Sequence, residues 1–366
     1  MIDRRFIQNF NWSLLLLVIL LITVGVINLY SASQTAGGGT PVYMKQIYIA
    51  ATGFLILLVI LFFDYHLLLS LAYPLFWISI ILLISVFFLG RTVSGSQRWL
   101  PLGLFSFQPS ELAKIALILS LAKYFSNNEG QGRYGFRDLY FPLGMALLPA
   151  LLIMKQPDLG TALLLLLISI SIFLFLGVAW RTLFISLGAL VVSLPLFWFF
   201  LKDYQKKRVL IFLQPESDPL GAGYHILQSK IAVGSGGIWG KGFLKGTQGQ
   251  LRFLPEKHTD FAFSILAEEW GFIGTFLVLT LFLLLVLWAM NVARQAKDRF
   301  GQVVALGVGA AFFWQSVINI GMVVGLVPVV GVPLPFISYG GSSIIISLIG
   351  IGLLLNIHMR RFVIQS

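Results

Sequence analysis

Long apolar runs alternate with short polar interruptions along almost the whole chain. A helix needs about 17 to 25 apolar residues to cross a ~30 Å hydrocarbon core. Ten runs approach that length: Trp12 to Tyr30, Ile47 to Phe63, Leu67 to Leu89, Leu112 to Phe125, Phe141 to Met154, Leu159 to Trp180, Leu183 to Leu201, Phe272 to Met290, Val303 to Val330 and Ser342 to Met359. The fourth and fifth are the shortest, and each needs flanking residues, a tilt or local thinning of the bilayer to cross it. The pattern predicts an all-α, polytopic membrane protein, one transmembrane domain over residues 1–366 with about ten spanning helices. Ser31-Ala32-Ser33 resembles a signal-peptidase site. The run before it is longer than the usual ~7 to 15 residue signal core, so it reads as an uncleaved first span.

Most connections are short, as expected of a helix bundle. Three are not: Gly90 to Ser110, Lys202 to Thr259, and Val327 to Gly341. An even number of spans puts both termini on one side. On that assignment eleven Lys or Arg fall on the terminal side, against four (Lys45, Arg91, Arg98 and Lys155) in the short loops opposite. The excess of cations on the cytoplasmic side of membrane proteins then predicts cytoplasmic termini and one large extracytoplasmic loop, about residues 202–260. Within that loop, His225 to Val233 reads as a short amphipathic helix, with Ile226, Leu227 and Ile231 on one side, lying on the membrane surface.

Composition agrees with lipid as solvent: of 366 residues 58% are hydrophobic and 11% charged, where a soluble domain is about a quarter charged. The net charge of +11 does not imply nucleic acid, because no soluble basic domain with interleaved aromatics is present to bind it. The absence of cysteine excludes disulfides, thiol nucleophiles and Cys-ligated metals. No repeat of fixed period suggests a solenoid or an inverted-repeat transporter.

Nine of the cations lie in the long loop, beginning with Lys202, Lys206, Lys207 and Arg208, either as head-group anchors or as contacts for an anionic substrate. A glycine-dense stretch from Gly234 to Gln248 follows, carrying Lys241 and Lys245. It is not a nucleotide-binding P-loop: Ser235 and Gly242 stand where that pattern needs Gly and Ser or Thr. It reads either as a flexible linker or as backbone that must approach a ligand closely.

Ionisable groups at membrane depth are expensive and therefore functional candidates. Glu111 and Lys114 share a face at the start of the fourth run, where Ser110 offers a cap. Asp158, after Pro157, opens the sixth run in ordinary capping style. Phe253 to Asp260 leads through an apolar stretch to Glu268-Glu269-Trp270-Gly271 before the eighth run. There Thr259 suits an N-cap and Asp260 a first helical turn, or Asp260 serves as a base whose acidity is set by burial against nearby cations. Histidines 66, 225, 258 and 358 are scattered, which disfavours a zinc site; a hydrated Mg²⁺ held by carboxylate and substrate phosphate stays open. The uncharged segment Pro328 to Ser343, dense in Pro and Gly and containing Ser338, is either a re-entrant turn or a row of amides facing an anion.

Together these stretches resemble the SEDS (shape, elongation, division and sporulation) family over almost the whole chain. The resemblance rests on Arg98-Trp99, Gln108-Pro109-Ser110-Glu111 with Lys114, Gln156 to Thr161, Pro255 to Gly271 and Gly331 to Ser343. Asp218 to Ser229, Gly240-Lys241-Gly242 and Gly246-Thr247-Gln248 resemble its elongation branch more than its division branch. The resemblance implies a peptidoglycan glycosyltransferase that polymerises lipid II at the outer face of the bacterial cytoplasmic membrane. It also implies a class B penicillin-binding transpeptidase and other elongation-complex proteins as partners. It places the family's essential aspartate on Asp260 and its central polar pair on Glu111 and Lys114. The candidate substrate-binding residues are then Glu111, Lys114, Arg98, Asp158, Arg208, Lys241, Lys245, His258 and Ser338. A lipid-precursor flippase or transporter and a non-catalytic scaffold are the rival readings.

Overall fold

The computed structural model of the chain describes residues 10–34, 40–93, 96–102, 105–128, 134–179, 203–218, 221–250 and 258–361, with isolated positions between 181 and 199. Its main helices are α1 (Trp12–Ser33), α2 (Val42–Phe62), α3 (Leu67–Leu89), α4 (Pro109–Asn127), α5 (Phe136–Lys155), α6 (Leu159–Phe175), α7 (Asp203–Leu213), α8 (Ala222–Ser235), α9 (Ala262–Gln295), α10 (Arg299–Val324) and α11 (Gly341–Arg360). Among the described residues seven helices are long and apolar enough to cross a membrane: α1, α2, α3, α5, α9, α10 and α11. The apolar α6 has 17 residues, and α4 has 19 but carries Glu111, Lys114 and Lys123. The run Leu183 to Leu201 lies outside the described residues apart from isolated positions.

Charge makes a hydropathy pattern stop short while the backbone continues. The expected fourth and fifth runs extend to 19 residues in α4 and 20 in α5, close to 30 Å at ~1.5 Å per residue. Helix ends follow capping chemistry. Asn11 accepts the Leu14 N–H at 3.1 Å to start α1, and Asp298 accepts the Gly301 N–H at 3.0 Å to start α10. Gly325, at φ +75°, ends α10 with the Leu326 N–H turned back to the Gly321 carbonyl at 2.7 Å.

Position in the bundle follows from burial. The most apolar stretch of α11 is 89% buried and that of α2 only 22%, so α11 is central and α2 turns much of its surface outward. Helix α10 packs against α4, α6, α9 and α11. Polar side chains tie neighbours across the apolar core: the Gln156 amide donates to the Leu83 carbonyl at 2.7 Å and the Ser120 hydroxyl to the Ala72 carbonyl at 3.0 Å.

Three features depart from the sequence pattern. Residues after α3 form a small antiparallel sheet, β1 (Arg91–Val93), β2 (Ser96–Leu102) and β3 (Phe105–Phe107), in the order β1-β2-β3, so the fold is helical with a strand-built cap. Helix α9 begins at Ala262, ten residues before the expected span, and breaks at Gly271 (φ 65°); Glu268 and Glu269 are therefore helical. Helix α8 does not rest on a surface as an isolated element. Its Ile226, Ser229 and Ala232 are buried, and Ser229 meets the Ser264 hydroxyl at 2.8 Å and the Val323 carbonyl at 2.7 Å. The cause is a buried stripe every three to four residues that fits between α9 and α10.

Candidate functional site

The irregular segments before α4, before α6, before α9 and between α10 and α11 gather at one end of the bundle. Residues 258–261 form a turn, and Phe261 occupies the N-cap position of α9. Asp260 therefore precedes the helix instead of sitting in its first turn, and Thr259 is not its cap. Backbone bonds fix this turn: the Tyr339 N–H donates to the His258 carbonyl at 2.8 Å. The Asn319 side-chain amide on α10 donates to the Asp260 carbonyl at 3.1 Å and to the Val332 carbonyl at 2.8 Å.

Gly331 is the meeting point. It sits at φ +76°, a conformation glycine adopts without strain. A Cβ built on it would lie 3.5 Å from Asp260 Oδ2 and 3.8 Å from Arg98 Nη1. The carboxylate and the guanidinium thus flank the same side-chain-free position. Arg98, on β2, donates to the Pro157 carbonyl and lies 3.7 Å from Asp158 Oδ1. Asp158 is 1% exposed and caps α6, accepting the Thr161 N–H at 3.2 Å and its hydroxyl at 3.0 Å. Its carboxylate serves its own helix and holds Arg98.

Glu111 and Lys114 pair at 2.8 Å on α4, both buried. Lys114 also lines a small, mostly apolar cavity with Ile118, Phe312, Gln315 and Ser347. Gln315 lies one helical turn from Asn319 on α10, ~6 Å along the axis. The pair is therefore set below the Asp260 turn, connected to it by the polar edge of α10.

The segment between α10 and α11 is covered by protein. Val332, Leu334, Phe336 and Ile337 are at most 1% exposed, the condition for irregular backbone at membrane depth. Glycines in two helices admit it: a Cβ on Gly25 would come 2.3 Å from the Phe336 carbonyl, and one on Gly160 2.6 Å from the Val330 carbonyl. Ser338, expected among the substrate contacts, is buried. Its hydroxyl accepts the Leu334 N–H at 3.0 Å while its carbonyl accepts from Gln46 at 3.3 Å. These bonds commit Ser338 to a turn.

Lys241, also expected among the substrate contacts, pairs within the protein. Its Nζ lies 2.7 Å from Glu268 Oε1, and Glu268 is 0% exposed. The same carboxylate accepts the Thr247 N–H at 2.8 Å, the Thr247 hydroxyl at 2.9 Å and the Gln248 N–H at 3.2 Å. Over these contacts the glycine-dense stretch is tied to α9, unlike a flexible linker. The break at Gly271 frees helical N–H groups, and the loop carbonyls of Gly237 and Ile238 accept from Phe272 at 2.9 Å and Ile273 at 3.2 Å. A Cβ on Gly236 or Gly240 would come 2.1 Å from the Ala267 or Glu269 carbonyl, so the glycines admit protein backbone. Lys245 is exposed and Arg208, on α7, partly buried. Lys202 and the residues from Phe253 to Lys257 lie outside the described residues.

A search for charge overlooks Asn319 and Gln315, neutral groups inside an apolar run. The signal available was an amide pair four residues apart in a spanning helix, polar groups that need partners wherever water is absent. Gly331 carried only a generic turn signal. Among the described residues no group of three or more His, Cys, Asp or Glu is arranged to hold a metal ion.

A helical bundle with several spanning helices and a cluster of buried charge at one end defines a multi-pass membrane protein with a polar site at one end of its bundle. Comparison with known proteins makes this specific. Residues 11–362 match the family described as cell cycle protein, which groups FtsW, RodA and SpoVE, and the chain belongs to this family, the SEDS proteins. Peptidoglycan glycosyltransferase MrdB of Escherichia coli K12 is 47% identical over 288 residues, 78% of this chain and 77% of that protein. Peptidoglycan glycosyltransferase RodA of Treponema pallidum is 34% identical over 432 residues, covering 98% of this chain and 99% of the relative. A solved chain from a peptidoglycan synthase complex that coordinates polymerization and crosslinking superposes with a TM-score of 0.83 at 35% identity, over 96% of this chain and 98% of that one. The crystal structure of the rod shape determining protein RodA of Thermus thermophilus gives 0.71 at 31% identity, with the same coverage. The chain is a glycosyltransferase of this family.

Proposed function

We propose that the chain polymerises lipid II into glycan strands at the outer face of the bacterial cytoplasmic membrane during cell elongation, with Asp260 as general base. The observation that carries the reading is the approach of Asp260 Oδ2 and Arg98 Nη1 to the same bare glycine, Gly331. Growth of the glycan requires the C4 hydroxyl of one disaccharide to attack the anomeric carbon of another, breaking its bond to a polyprenyl diphosphate with inversion. The attacking hydroxyl must lose its proton as the new bond forms, and a carboxylate within hydrogen-bond reach accepts it. The diphosphate leaves carrying the bond's electron pair, so it needs positive charge more than a proton donor. Arg98, pre-oriented by Pro157 and Asp158, approaches the same glycine as Asp260, and an arginine held by a second acceptor loses little entropy in binding. Lys245 and Arg208 are further contacts for the lipid-linked substrate. The buried Glu111–Lys114 pair supports the cavity beneath the turn.

This orientation puts both termini in the cytoplasm. The class of reaction and the similarity to a chain of a polymerising and crosslinking complex support a class B penicillin-binding transpeptidase as partner, joining the strands made here. The test is polymerisation by purified protein supplied with lipid II and divalent cation in detergent. Asp260→Ala is expected to lower the rate at least ~100-fold, the usual minimum for a lost general base. Full polymerisation by that variant would remove Asp260 from the mechanism.

A further inference from the structure

We infer that Asn319 is a positioning residue for Asp260, setting the carboxylate against Gly331 and Arg98 through the backbone of Asp260 and of Val332, the neighbour of Gly331. The inference rests on the general-base reading and names what holds the base in place. Asp260 lies in the turn 258–261 and precedes the N-cap Phe261 by one residue, so no helical bond fixes its carbonyl. Gly331 belongs to a separate irregular segment. A single side-chain amide bonds to both: Asn319 Nδ2 donates to the Asp260 carbonyl at 3.1 Å and to the Val332 carbonyl, one residue beyond Gly331, at 2.8 Å. Asn319 is 0% exposed and stands in the C-terminal part of α10, a helix packed against α4, α6, α8, α9 and α11. Its position is therefore fixed by the core of the bundle and transmitted to two irregular segments whose other backbone tie, the Tyr339 N–H to the His258 carbonyl, lies away from Gly331 in sequence. A shared donor of this kind matters more than its energy suggests, because a shift of ~1 Å at a reacting group can cost on the order of 100-fold in rate.

Burial alone does not make this argument, and a matched case elsewhere separates position from packing. Asn356 on α11 uses its amide in the same way, donating to the Ile60 carbonyl at 2.6 Å and the Phe63 carbonyl at 2.7 Å, and is also buried. It ties α11 to the end of α2, where Asp64 and Arg360 pair at 3.3 Å, and its side-chain hydrogen bonds run to Ile60, Phe63 and Arg360. Both asparagines span two carbonyls; Asn319 alone of the two spans the proposed site.

The experiment compares Asn319→Leu, Asn319→Ser and Asn356→Leu with wild type and Asp260→Ala, measuring Tm, kcat and KM for lipid II polymerisation per folded molecule. Asn319→Leu is expected to lower kcat at least ~10-fold with KM within about twofold, and Asn319→Ser, which keeps one donor, to fall between. Asn356→Leu is expected to lower Tm comparably while kcat per folded molecule stays within about twofold of wild type. If Asn319→Leu does not fold, the Ser variant decides by the same split. Unchanged kcat in the folded Asn319 variants, or an equal loss in Asn356→Leu, overturns the inference while leaving the base assignment intact. An active Asp260→Ala overturns the base assignment, and the inference with it.

Discussion

At the scale of single residues, the site depends on a side chain that is missing. Gly331 presents no side chain to Asp260 Oδ2 and Arg98 Nη1, which lie 3.5 and 3.8 Å from where its Cβ would stand, and it holds φ at +76°. In Gly331→Ala the left-handed backbone costs about 1 kcal/mol, and the new methyl stands at ordinary contact distance from both polar groups. We expect a Tm lower by a few degrees and a fall in kcat on the order of tenfold, read by thermal unfolding in detergent and by the polymerisation assay. A Gly331→Ala protein that loses stability alone would show that the glycine is a turn requirement with no catalytic consequence. Sequence drew attention to the residues gathered here, because carboxylates and cations at the ends of apolar runs stand out against lipid. It did not separate roles. Ser338 and Lys241 carry chemistry suited to a substrate contact, and in the fold the Leu334 turn uses one and Glu268 the other. Which donor meets which acceptor depends on segments far apart in the chain, and local pattern carries no information about that pairing.

At the scale of elements, the glycine-dense loop and the broken helix α9 explain one another. A helix interrupted at Gly271 exposes N–H groups that lipid cannot satisfy, and the loop supplies carbonyls to them while Glu268 gathers loop donors in return. Lys241→Met removes the charged partner of a fully buried carboxylate. We expect a loss of about 1 to 3 kcal/mol, faster amide hydrogen exchange over residues 237–248, and an unchanged KM. A raised KM with unaltered stability would return Lys241 to the substrate. Lys245→Met, which alters an exposed cation, is expected to do the opposite, raising KM and leaving Tm within a degree or two. The sheet β1-β2-β3 matters for a related reason: it carries Arg98 toward Asp158. Its strands are three to seven residues long, too short for alternation to announce them in a chain dominated by apolar runs.

At the scale of the whole molecule, the bilayer imposes orientation. With no cysteine in the chain, a single introduced thiol reports sidedness without background. Lys245→Cys is expected to react with a membrane-impermeant maleimide in intact cells with an opened outer barrier, and Gln295→Cys, at the far end of α9, only after the cytoplasmic membrane is permeabilised. The reverse pattern would sink both the outward-facing site and the chemistry proposed for it, since lipid II and the growing glycan would then be on the wrong side.

The sequence by itself determined the solvent, the helical class and the positions of most spans, because burying a backbone in hydrocarbon admits few solutions and each leaves a long apolar signature. With the family's motifs it also pointed to Asp260, Glu111 and Lys114. Only the tertiary structure decided that α9 begins before the charged pair Glu268-Glu269, that α8 packs between two helices, and that a neutral asparagine and a bare glycine frame the aspartate. These are outcomes of contact between distant segments. Hydropathy measures what a residue costs in lipid, whereas the site is set by which partner each polar group finds.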